Sequence, residues 1–80
     1  MEIQLSNFTN IVSDPNICQG LARIKGTRIT VSSILAHLAG GTTFRELSEL
    51  FPQLNGEAIT EALQFASQSL QEMYIPLKAA

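Results

Sequence analysis

Eighty residues, 45% of them hydrophobic, make one small globular domain and exclude wholesale disorder. No apolar run approaches the roughly 20 residues of a membrane span. The single cysteine excludes an internal disulfide, and Met1-Glu2-Ile3-Gln4 lacks the basic start of a secretory signal, so a soluble cytoplasmic protein is expected. The net charge of −2 is spread unevenly: Pro15 to Arg45 holds four basic residues and no acid, whereas Glu46 onward holds five acids against Lys78 alone.

Residues 1–9 carry little pattern and are expected to form a loose arm ahead of a single domain over 10–74. Asn10-Ile11-Val12-Ser13 and Ala22-Arg23-Ile24-Lys25 are short β-prone pieces separated by the turn-favouring Asp14-Pro15-Asn16, which predicts a small hairpin or two short strands. From Val31 the period becomes helical, with Val31, Ile34, Leu35 and Leu38 on one stripe. Thr30 is placed to cap that helix, and Gly40-Gly41 to end it with a positive φ.

Thr43-Phe44-Arg45-Glu46 has the form of a capping box and predicts a second, short helix with Phe44, Leu47, Leu50 and Phe51 inward, stopped by Pro52. Asn55 is placed to cap a third helix. Its apolar face reads Ile59, Ala62, Leu63, Ala66, Leu70, Met73 and Tyr74, and its polar face Glu57, Glu61, Gln64, Gln68 and Glu72. That helix runs to about Tyr74, and residues 75–80 leave an apolar tail. The fold class read from the chain is mainly α: a three-helix helix-turn-helix core with a short N-terminal β hairpin or arm. A chain of this length buries only about 60% of its unfolded surface, so a homodimer is expected to help.

The ordered series Asp14-Pro15-Asn16-Ile17-Cys18, Gly20, Ala22-Arg23-Ile24-Lys25-Gly26-Thr27-Arg28-Ile29, Val31, Ile34-Leu35, Gly41-Thr42, Phe51-Pro52-Gln53-Leu54 and Ala62-Leu63 resembles domain of unknown function 433. Those are small proteins often grouped with VapB-type antitoxins. The resemblance runs from about Ile11 to Leu77. It implies a homeodomain-like helical fold with an N-terminal β element, and a role as the antitoxin partner of a PIN-like nuclease toxin. Two positions depart from the family pattern: Gln19 stands where a second glycine is common, and Thr30 where proline is frequent.

Three candidate sites follow. Arg23, Lys25 and Arg28 form a basic arm able to hold phosphates of operator DNA or another anion; the competing reading puts Arg23 and Lys25 on the solvated side of a strand and makes Arg28 structural. The third helix presents Glu57, Glu61 and Glu72 outward with no Lys or Arg, which disfavours major-groove readout. Phe65, Tyr74, Ile75 and Leu77 are expected to bind a protein partner, such as the nuclease toxin. His37 and Cys18 are the candidate haem ligands, and a haem-binding or other ligand-sensing regulator is the alternative function; a simple DNA-binding repressor is the second alternative. No cofactor and no metal are expected. No nucleophile stands beside a base and there is no phosphate-binding glycine loop, so an enzyme is not expected.

Overall fold

The computed structural model describes residues 1–5 and 7–71. Three antiparallel strands come first: β1 (Ile3–Gln4), β2 (Ile11–Ser13) and β3 (Arg23–Ile24), in the order β1-β2-β3. Three helices follow: α1 (Val31–Ala39), α2 (Phe44–Leu50) and α3 (Gly56–Gln71). Met73, Tyr74 and the 75–80 tail lie outside the described residues, as does Glu72.

The N-terminal arm carries a short strand of its own. Ile3 pairs with Ser13 and Gln4 with Val12, while Phe8 is buried and meets Phe65 edge-to-face at 5.7 Å. The two predicted strands do pair, Ile11 with Ile24 and Val12 with Arg23. The period of two then sorts the sheet into two faces. Ile11 and Ile24 look into the main core; Val12 is equally buried but belongs to the other face, beside Arg23.

All three helix starts follow their caps. Thr30 Oγ1 accepts from the Ser33 amide at 3.1 Å. Thr43 and Glu46 form the reciprocal capping box, both bonds at 3.1 Å. The amide bond at Thr43 holds the Glu46 carboxyl below the usual carboxylate range. Asn55 Oδ1 accepts from the Ala58 amide at 2.7 Å. Beyond α1, Gly41 takes the positive φ of 99°.

The core gathers one or more residues from each helix: Val31 and Ile34 of α1, Leu47 of α2, and Ala58, Ile59 and Ala62 of α3, with Leu54 between α2 and α3. Three expectations need correction. On α2 only Leu47 is buried and Phe51 follows partly, whereas Phe44 and Leu50 are 44% and 55% exposed, because seven residues offer a single turn to the core. Leu70 faces solvent rather than the core. Glu61, placed by periodicity on the outer face, is buried.

Glu61 is buried because Asn10 meets it. Its Oε1 accepts from the Asn10 backbone amide at 3.2 Å and its Oε2 from Asn10 Nδ2, while Glu57 Oε1 approaches the same amide nitrogen at 3.5 Å. The Asn10 carbonyl in turn accepts from the Lys25 amide at 2.8 Å. One residue therefore joins β2, β3 and α3. Asn10→Ala strips the buried carboxylate of a donor and is expected to lower unfolding stability by about 2 kcal/mol, measured by urea denaturation. Asn10→Asp should be worse, since it sets a third carboxylate beside Glu57 and Glu61, and its deficit should shrink as the pH is lowered through the carboxylate range.

Candidate functional site

The basic arm divides. Arg23 is only 3% exposed. Its Nη2 donates to Glu2 Oε1 at 3.1 Å and its Nη1 to the Thr27 carbonyl at 3.3 Å, so its charge is neutralised within the fold. Strand parity puts it opposite Ile24, as the sequence suggests, but that face is roofed by Glu2 and the 25–28 turn rather than open to water. Lys25 and Arg28 are exposed. Arg28 shares one shallow depression with Arg23, Glu2, Ile17, Gly26 and Thr27; Lys25 does not line it. Arg23, not Arg28, is thus the structural arginine.

The turn that follows Ile24 is fixed by Thr27, whose hydroxyl donates to the Ile24 carbonyl at 2.8 Å and accepts from the Ile29 amide at 3.0 Å. Gly26 supplies the positive φ of 79° that the third position of such a turn demands. Ahead of β3, Asp14 accepts from the Asn16 amide at 2.9 Å, and that bond lowers its carboxyl below the ordinary range.

A second feature is apolar. An apolar groove of about 430 Å³ runs between α1 and the C-terminal half of α3, closed at one side by the 20–22 segment. Val31 and Leu35 line it from α1, Phe65, Ala66 and Leu70 from α3, and Leu21 from the segment before β3. Leu21 and Leu70 stand at its rim, 51% and 59% exposed. Phe65, expected off the core stripe and free for a partner, instead packs partly on the core against Phe8 while its remaining surface lines this groove.

Leu21 reaches the rim through an unusual backbone. Cys18, Gln19 and Gly20 take φ values of 51°, 58° and 81° in succession, three left-handed residues in a row. Gln19, with a φ of 58°, holds a conformation that favours glycine. The sequence departure was readable; the strain it causes was not. Leu21 itself escaped the sequence reading, because it belongs to no periodic segment.

The remaining candidates sit apart from the groove's lining. The His37 ring stacks edge-to-face on Phe51 at 5.4 Å, near the end of α1. The Cys18 thiol donates to the Arg28 carbonyl at 3.6 Å. Among the described residues, no group of three or more His, Cys, Asp or Glu side chains converges as a metal site. Tyr74, Ile75 and Leu77 lie outside the described residues.

Two substitution sets test these assignments. Gln19→Gly relieves a left-handed side chain and should raise stability by about 1 kcal/mol in thermal or urea melts. Arg23→Ala truncates a buried side chain and unpairs Glu2, and should cost about 2–3 kcal/mol. Lys25→Ala and Arg28→Ala should each stay within about 0.5 kcal/mol of the parent, as exposed surface changes do.

Comparison with known proteins agrees with this architecture. The family model for the protein of unknown function DUF433 matches residues 11–66. The crystal structure of a DUF433 member protein from Anabaena variabilis ATCC 29413 superposes with a TM-score of 0.74 at 32% identity, over 79% of this chain and 62% of that one. The chain thus spans less than two thirds of that relative's length. No curated protein matches it. With the capped helices, the Gly26-Thr27 turn and the left-handed segment all falling inside or beside the matched span, the chain belongs to the DUF433 family.

Proposed function

We propose that this protein is a non-catalytic protein-binding module of the antitoxin kind, which masks a PIN-like nuclease. In this reading α1, α2 and α3 are a homeodomain-like helix-turn-helix trio turned from DNA to protein contact. The observation that carries it is the exposed surface of α2, which combines the large apolar side chains of Phe44 and Leu50 with two acids, Glu46 and Glu49, against one base, Arg45. A nuclease must present an electropositive surface to the RNA backbone. A complementary mask needs acidic groups for steering and large apolar side chains as anchors, and α2 has both.

DNA contact has weaker support. With Arg23 bonded to Glu2, Lys25 and Arg28 are what the arm offers a phosphate, and α3 carries no Lys or Arg at all. Two such contacts per chain give a shallow salt dependence and little affinity. The haem-sensing alternative finds no added support either, since His37 is engaged with Phe51 and Cys18 with Arg28.

The test is co-expression with the PIN-like nucleases of the same genome. A stoichiometric complex with suppressed ribonuclease activity is expected, weakening as salt is raised. Phe44→Ala combined with Leu50→Ala should weaken it by at least about tenfold, as loss of two apolar anchors does. Both side chains are exposed, so the helical circular dichroism should not change. Failure of every such nuclease to bind, or undiminished inhibition by the double variant, overturns the proposal.

A further inference from the structure

We propose that the groove between α1 and α3 is the seat of a second copy of this chain, in a two-fold symmetric dimer. The argument starts from charge. Val31–Ala39 contains no Asp, Glu, Lys or Arg, and neither does any residue of α3 from Ala62 to Gln71. Both walls of the groove are therefore neutral. Elsewhere the molecule is charged: Arg45, Glu46 and Glu49 on α2, Glu57 at the start of α3, Lys25 and Arg28 on the turn after β3.

Symmetry makes that neutrality selective. Across a two-fold axis a patch meets itself, so a surface dominated by one sign of charge is set against the same sign. The neutral α1–α3 face escapes this penalty, whereas the acidic side of α2 does not. A foreign partner, by contrast, is normally selected and held in register by charges that this face lacks.

Shape points the same way. An isologous contact requires each copy to offer both a projection and a recess, because residue i meets j while j meets i. Here the recess is floored by Val31, Leu35 and Ala66, and the projections are Leu21 and Leu70 at its rim. The exposed residues on the neighbouring side of α1, Ser32, Ala36 and Ala39, are small and let a second helix approach closely. The projection at Leu21 is held out by three consecutive left-handed residues, a backbone cost of the kind that persists at sites of function.

This inference is independent of the nuclease proposal, which rests on α2. Its test is the mass of the full chain by sedimentation equilibrium across a concentration series. Twice the 8.7 kDa chain mass is expected. Leu70→Glu, which sets like charges within the contact, should weaken dimerisation by at least about tenfold without loss of helical circular dichroism. Leu21→Glu should do the same, whereas Leu50→Glu, on the outer side of α2, should leave the dimer intact. A parent chain that is monomeric throughout the series overturns the proposal, as does a dimer indifferent to both rim substitutions. Nuclear Overhauser contacts from Tyr74, Ile75 or Leu77 to Leu35 or Phe65 within a monomer also overturn it, by seating the chain's own C-terminal segment in the groove.

Discussion

The structure hangs on Asn10. A three-stranded sheet whose outer members are two residues long has too few ladder bonds to stand by itself. It must be fastened to the helices, and Asn10 fastens it. Its amide and side-chain nitrogen satisfy the buried Glu61 of α3, while its carbonyl receives the Lys25 amide beyond β3. A carboxylate buried without such donors would be expelled to water or protonated. The bond fastens the start of β2 to α3, on the side where Ile11 and Ile24 join Ile59 in one core.

From that placement the charge pattern follows. With Ile24 in the main core, its neighbour Arg23 faces away, where Glu2 closes over it and Val12 lies beside it. A residue that the sequence presents as one of three equivalent cations becomes the roof of the sheet's second face. Of the exposed charges that remain among the described residues, the turn after β3 carries Lys25 and Arg28, α2 carries Glu46 and Glu49 against Arg45, and the face over α1 and the second half of α3 carries none. The charged surface of α2 with its apolar anchors and the neutral grooved face are suited to different contacts.

How much of this could be read from the chain depended on the range of the signal. Thr30, the Thr43–Glu46 box and Asn55 act within three residues, so the helix starts were legible to the residue. The two β-prone pieces on either side of Asp14-Pro15-Asn16 were legible from local composition as well, though their register was not. What failed was burial decided at long range. Glu61 shares its helix face with Glu57, Gln64 and Gln68 by periodicity, and its hydrogen bonds come from Asn10, fifty-one positions away. Phe44 and Leu50 have the composition of core residues but belong to a helix too short to turn both of them inward. The β1 strand lacks an alternation long enough to detect, and exists because β2 offers it an edge. The groove combines residues 20–22, α1 and α3, and no periodicity in one segment announces it.

The left-handed run at Cys18–Gly20 shows how such a groove can be rigid in so small a domain. Left-handed backbone costs about 1–2 kcal/mol for each residue with a side chain, so an unanchored chain would relax out of it. Here both flanks are tied. The Ile17 amide donates to the Asp14 carbonyl at 2.9 Å, the Ser13 hydroxyl to the Gly20 carbonyl at 2.8 Å, and the Leu21 amide to the Cys18 carbonyl at 3.0 Å. Immediately beyond, the Val31 amide donates to the Ala22 carbonyl at 2.9 Å and pins the segment to the start of α1. With its approach and exit both fixed, the run has one route, and that route delivers Leu21 to the rim. The groove is therefore formed before anything enters it, and an occupant need not offset the entropy of ordering that wall.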